Sequence, residues 1–139
     1  MFQSIDKIEN PSLLPVLTLA IVGDSVYDLY FKSRLITLKT MPCGRIHTLA
    51  IGYVRASAQS YAIRTLEPEL TEEETAVYHR GRNAKPSSMP KHADVSEYHR
   101  ATGFEALIGY LYLKGEQGRI DYLLDHTYQI ITEQMKENK

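Results

Sequence analysis

The sequence predicts an all-α protein. Apolar residues recur at three- and four-residue spacing along most of the chain, no stretch alternates at period two, and no Asn-Gly or Asp-Gly pair offers a hairpin turn. Its 139 residues suit one domain, 1–139, with a single core. The expected architecture is a bundle of roughly five helices around one central buried helix.

That central helix is expected at 15–35. In the stretch LPVLTLAIVGDSVYDLYFK the only polar groups between Leu14 and Phe31 are Thr18, Asp24, Ser25, Asp28 and the hydroxyls of Tyr27 and Tyr30. A helix so apolar on all sides is normally buried. Asn10-Pro11 reads as a cap and first helical position, but Pro15 would remove a hydrogen bond from a helix already begun, so a turn is expected at 11–14. Residues 1–9 read as a loosely held lead-in, and 38–44 as a loop. One helix is expected over 45–66, with Ile46, Leu49, Ala50, Tyr53, Ala58 and Ala62 inward and Arg45, Thr48, Arg55 and Gln59 on the opposite stripe. Glu67-Pro68 ends it.

Thr71 and Glu74 have capping-box spacing at the start of the next helix, and His79, Arg80 and Arg82 suit the negative end of its dipole. Residues 84–95 are the one long irregular stretch, of the kind that is functional or mobile in compact domains. Asp94 or Ser96 can cap a helix over 97–113 with Phe104, Leu107, Ile108 and Leu111 inward. Gly115 or Gly118 breaks the chain, and a last helix covers 119–136 with Ile120, Leu123, Leu124, Ile130 and Ile131 inward.

A single cysteine, Cys43, excludes an internal disulfide and a cysteine-based zinc site, and it fits a reducing cytoplasm. The N-terminus lacks the basic and apolar regions of a signal peptide. Asp24 and Asp28 interrupt the apolar run around Ile21, so no membrane span is expected. The net charge of −1 hides an uneven distribution. Between Leu29 and Leu66 there are six bases and no acid; between His79 and Arg100 there are five bases, three histidines and two acids. Two such regions can present a phosphate-binding surface, although any one of these bases taken alone reads as part of a solvated helix face.

Two carboxylates need an explanation. Asp24 follows Gly23 and shares a helical face with Leu17, Ala20 and Ile21. Glu105 has Ala101, Thr102, Ile108, Gly109 and Tyr112 as its three- and four-residue neighbours. An acid on an apolar face is costly unless paired, protonated or bound to a metal. Asp24 can instead cap a second helix after a break at Gly23, or pair with an arginine in the core. If the two helices pack together at Gly23 and Gly109, the acids meet, and a cation between them relieves their repulsion. Hard oxygen ligands select Mg²⁺ or Mn²⁺, and such an ion beside basic groups describes phosphodiester hydrolysis.

The stretch LAIVGDSVYD resembles the LEFLGDAVLE-type signature of the ribonuclease III catalytic domain, and ATGFEALIGYLYL resembles its second, D-x-x-E-A-L-I-G, motif. With HRGRNAKPSSMPKHADVSEYHR between them, the chain is most similar to the Mini-ribonuclease III family over about 10–115. This resemblance implies a ribonuclease III-like fold and a homodimeric, metal-dependent endoribonuclease that cuts double-stranded RNA to 5′-phosphate and 3′-hydroxyl ends. It also implies maturation of the large-subunit ribosomal RNA precursor, with ribosomal proteins as further partners, and no separate double-stranded-RNA-binding domain.

Carried over residue by residue, Asp24 and Glu105 match the acids of the two motifs and are the expected catalytic and metal-binding residues. Ala20 and Thr102 stand where the broader family has two more acids, as is typical of the Mini branch. Asp94 is the candidate replacement and Asp28 a weaker one. Arg80, Arg82, Lys85 and Arg100 are the expected contacts to phosphate and 2′-hydroxyl groups, since duplex RNA is read mainly through shape and backbone. His79, His92 and His99 are expected at the surface or in caps, as neither catalytic groups nor zinc ligands. The missing acids at Ala20 and Thr102 favour an alternative, a non-cleaving duplex-RNA-binding or ribosome-assembly factor on the same fold. A structural helical dimer without nucleic acid is a third reading, disfavoured by the two basic regions.

Overall fold

The computed structural model describes all residues except 1, 3, 6, 86–88, 90, 92–93 and 139. The described residues form six helices and no strand: α1 (Val16–Leu38), α2 (Cys43–Val54), α3 (Ala56–Leu66), α4 (Glu72–Asn83), α5 (Val95–Lys114) and α6 (Gln117–Glu137). None of these helices is long and apolar enough to cross a membrane.

Local chemistry accounts for most of the boundaries. A 3-10 turn at Pro11–Leu13 precedes α1, and the Pro15 carbonyl accepts the Thr18 and Leu19 N–H groups, so the helix begins directly after Pro15. On α4 the expected capping box is complete: Glu74 N–H donates to Thr71 Oγ1 at 3.1 Å and Thr71 N–H to Glu74 Oε1 at 2.9 Å. Asp94 caps α5, accepting from the Glu97 N–H at 3.0 Å. Gly115 ends α5 with φ 84°, a left-handed conformation that favours glycine.

Two expectations are corrected. The helix expected over 45–66 is broken at Arg55, whose extended backbone (φ −63°, ψ 153°) ends α2 and starts α3. The central helix of the bundle is α5, where Ala101 to Leu111 are all buried apart from half-buried Glu105. α1 packs along one side of α5 and leaves its other side open, with Ile21 70 % exposed and Leu29 and Ile36 also exposed. Its all-round apolarity therefore does not reflect all-round burial within this chain.

α5 meets its two main neighbours at glycines. A Cβ on Gly23 of α1 would run into the Glu105 carbonyl, and one on Gly109 into the Leu19 carbonyl, so these helices touch backbone to backbone. On another face of α5, a Cβ on Gly103 would come within 2.7 Å of the Tyr78 carbonyl of α4. Above the α1–α5 crossing, Tyr27, Phe31, Phe104 and Tyr53 pack ring against ring, with Phe31 stacked on Tyr53 at 5.1 Å. α6 is joined to α4 by Arg119, whose Nε and Nη2 grip the buried Glu74 carboxylate at 2.8 and 2.7 Å.

Candidate active site

The glycine contact decides where the two motif acids lie. α1 is continuous through Gly23 and Asp24, so Asp24 does not cap a second helix. Leu17, Ala20, Ile21 and Asp24 share one face, as their spacing predicts, and that face runs from buried Ala20 out to exposed Ile21 and Asp24. With Tyr98, Thr102 and Glu105 of α5 they line a concavity of about 300 Å³. Asp24 is exposed at this concavity and Glu105 half-buried in it. Ala20 and Thr102 line the same hollow, so the positions of the two missing acids are occupied by a methyl group and a hydroxyl. The Thr102 hydroxyl is engaged inside its own helix, donating to the Tyr98 carbonyl at 3.0 Å.

Glu105 carries the electrostatic signature of the site. Burial, then the adjoining Asp24 carboxylate, pushes its pKa up to about 8. Gln59 opposes this by donating its Nε2 to Glu105 Oε2 at 3.1 Å. Burial and the charge of Glu105 hold the Tyr27 hydroxyl well above the usual tyrosine range. Tyr27 donates to the Tyr53 carbonyl at 2.7 Å, and Gln59 Nε2 also donates to the Val54 carbonyl at 2.9 Å. Both carbonyls belong to the last turn of α2, where helical partners run out. The break at Arg55 is thus satisfied by the two side chains that flank Glu105.

On an unbroken helix over 45–66, Gln59 falls on the stripe opposite the inward one. Arg55 re-aims the chain, so the inward side of α3 becomes Ala58, Gln59, Ala62, Ile63 and Leu66, and Gln59 is buried with them. The readable signal was its spacing from Ala62 and Ile63, which becomes legible once the break is known.

The remaining sequence-predicted residues are dispersed. Asp94 caps α5 eleven residues before Glu105, roughly 16 Å along the helix axis, which separates it from the acid pair. Asp28 pairs with Lys32 at 2.8 Å one turn farther along α1. Arg80 is engaged structurally, its guanidinium donating to the Ser12 and Leu14 carbonyls at 2.9 and 3.2 Å. Arg82 lies over the Tyr78 ring, 5.7 Å from its centroid, and Lys85 is exposed just beyond α4. Arg100 donates to Ser60 at 3.2 Å, so Gln59 and Ser60 of α3 hold two α5 side chains, Glu105 and Arg100. His79 lies 3.3 Å from Glu67, His99 is half-buried, and His92 falls outside the described residues.

A Ribonuclease III domain family profile matches residues 17–116. Curated proteins named Mini-ribonuclease 3 are similar along most of their length. The one from Symbiobacterium thermophilum is 45% identical over 118 residues, covering 85% of this chain and 91% of that protein. The one from Brevibacillus brevis is 41% identical over 129 residues, covering 93% and 96%. A crystal structure of a Fusobacterium nucleatum protein superposes with a TM-score of 0.79 over 86% of this chain and 97% of that one, at 24% identity, and so shares the fold. With both motifs brought to one concavity by the α1–α5 crossing, the chain belongs to the ribonuclease III domain family, in its Mini-ribonuclease 3 branch.

Proposed function

We propose that the protein is a divalent-metal-dependent endoribonuclease that cuts both strands of duplex RNA as a homodimer, in maturation of the large-subunit ribosomal RNA precursor. The observation that carries this reading is the convergence of Asp24 and Glu105, from two helices, in one hollow. Burial and the neighbouring Asp24 carboxylate raise the Glu105 pKa, a repulsion that a cation between the two acids would relieve.

The donor set fits Mg²⁺, with Mn²⁺ as an alternative. Among the described residues no group of three or more His, Cys, Asp or Glu side chains gathers. Mg²⁺ keeps several of its waters and is held by one or two carboxylates together with substrate phosphates, which suits a two-acid site. When bound, such an ion supplies positive charge against the phosphate undergoing displacement and makes water a better nucleophile. Asp24 and Glu105 would hold it. Arg82, Lys85 and Arg100 follow the RNA backbone, and the small Ala20 and Thr102 leave the floor of the hollow open to a scissile phosphate. Exposed Ile21 lies beside Asp24, where a two-fold partner would cover it and set a second centre against the antiparallel strand. Acting on the ribosomal precursor, with ribosomal proteins as further partners, the enzyme would work in the cytoplasm.

The absence of acids at Ala20 and Thr102 favours a second reading, a duplex-RNA-binding factor that does not cut. Incubation with long duplex RNA, with and without Mg²⁺, separates the two. Mg²⁺-dependent shortening of the duplex is expected. Retention of intact RNA bound to the protein at all Mg²⁺ concentrations supports the non-cleaving factor.

A further inference from the structure

Gln59 is built unlike a surface glutamine. It is 2 % exposed, yet it stands on the helix that begins at a break in the chain. Both partners of its amide nitrogen, the Val54 carbonyl and Glu105 Oε2, are acceptors, so the amide orientation is fixed by chemistry. The amide oxygen is left buried without a hydrogen-bond partner among the described residues. An orphaned buried acceptor is costly, while an apolar side chain of the same length would strand the Val54 carbonyl instead. Capping the Val54 carbonyl at the break needs one N–H only, and the second N–H of the amide goes to Glu105 Oε2.

The geometry accounts for that second bond. In an unbroken helix over 45–66, Gln59 would follow Arg55 by four residues on the outward stripe. The extended backbone at Arg55 turns it inward, and the same break exposes the Val54 carbonyl that anchors its nitrogen. From that anchor the amide reaches one oxygen of Glu105, whose backbone carbonyl lies against Gly23, the residue before Asp24. Break, amide and acid form one connected chain from α2 to the concavity. A neutral donor in this place orients a carboxylate without adding negative charge.

We propose that Gln59 is a positioning residue for the divalent-ion site: anchored on Val54, it holds the Glu105 carboxylate in the orientation that lets it share an ion with Asp24. This rests on the metal-dependent reading above. Gln59 touches neither substrate nor reacting atoms and acts through Glu105. In a site with two carboxylates, it supplies the restraint that additional acids would otherwise provide through the ion they share.

The test compares the parent with Gln59→Met, which keeps length and removes both donated bonds, and Gln59→Asn, which keeps the amide but is one methylene too short to span both partners. Mg²⁺ and Mn²⁺ are titrated while melting temperature is followed without RNA, and kcat and KM are measured on long duplex RNA. Residues that orient metal ligands typically contribute 10–100-fold in metal affinity or activity. The half-saturating metal concentration is expected to rise about 10-fold or more in Gln59→Met, with a fall in kcat of similar size and KM for RNA unchanged. Gln59→Asn should fall between Met and the parent. A folded Gln59→Met variant with parental metal titration overturns the inference, whether or not its melting temperature has dropped. Where Gln59→Met does not fold, Gln59→Asn is read by the same criteria, and failure of both to fold marks Gln59 as a determinant of the fold and overturns the positioning role. Absence of any metal response in the parent defeats the metal-dependent reading itself, an outcome distinct from a parental response in the variants.

Discussion

Asp24 and Glu105 make the acid pair a question of charge in a confined space. Glu105 has an ordinary value of 4.5 and is pushed up to about 8 by burial and by Asp24. A raised folded-state pKa contributes stability that is complete below the ordinary value and is lost as pH rises through the folded one. Without divalent ions the melting temperature should therefore decline between about pH 4.5 and about pH 8, and saturating Mg²⁺ should flatten that decline. Asp24→Asn keeps the shape and removes one charge. It should abolish cleavage, leave duplex-RNA binding in place, hold or raise the ion-free melting temperature near pH 8, and erase most of the stabilisation by Mg²⁺. Melting series at several pH values, beside a cleavage assay, check all four outcomes. Cleavage by Asp24→Asn at the parental rate would remove Asp24 from the mechanism.

At the scale of helices, site and stability share the same contacts. Gly109→Ala would place a methyl group against the Leu19 carbonyl and force α1 away from α5. Overpacking of this kind typically costs about 1–3 kcal/mol and can exceed that where backbone is met. The melting temperature should fall by several degrees, and cleavage should fall beyond the loss of folded protein because Asp24 moves away from Glu105. Urea melts paired with activity per folded molecule read both effects. The α4–α6 ion pair offers a contrasting case. Burial alone would raise the Glu74 pKa, yet the Arg119 bonds and the Thr71 N–H hold it below the usual carboxylate range. Arg119→Met strands that carboxylate. The expected loss is roughly 2–3 kcal/mol, reduced from the fully buried case because Arg119 is partly exposed. Activity per folded molecule should be parental, since neither residue lines the acid concavity.

Over the whole molecule, the bases that look alike in the sequence separate into two kinds. Arg80 spends its guanidinium on the Ser12 and Leu14 carbonyls, so Arg80→Ala should lower the melting temperature as well as any RNA affinity. Arg82→Ala should reduce duplex-RNA binding evenly across sequences and flatten the dependence of log affinity on log salt by about one unit, with little change in melting temperature. Binding isotherms at several salt concentrations distinguish the two, and an unchanged slope for Arg82→Ala would make it a merely solvated base. The open face of α1, carrying Ile21 beside Asp24, argues for a two-fold partner. Light scattering should report a dimer, and Ile21→Lys should yield monomer that no longer cuts both strands in one encounter; a parent that remains monomeric at working concentration would count against the symmetric arrangement.

Much of this protein is legible in its sequence because helices are local objects. The Thr71–Glu74 box, the Asp94 cap, the stop at Gly115 and the inward stripe of α5 depend on groups within a few residues of one another, and they appear where their spacing puts them. The two motifs and their glycines also announce the α1–α5 crossing, since only residues lacking a Cβ permit backbone contact there. Other features depend on what lies across the fold. The apolarity of α1 carries no information about which side meets α5 and which stays open. The break at Arg55 is held by Tyr27 and by a side chain of α3, and neither is a neighbour that helical periodicity can weigh. Arg80 and Arg82, two residues apart on one helix, have opposite fates because distant carbonyls happen to face one of them. Local hydrogen bonds and hydrophobic period determine the elements; the inward turn of Gln59 and the meeting of Asp24 with Glu105 are settled only when those elements pack.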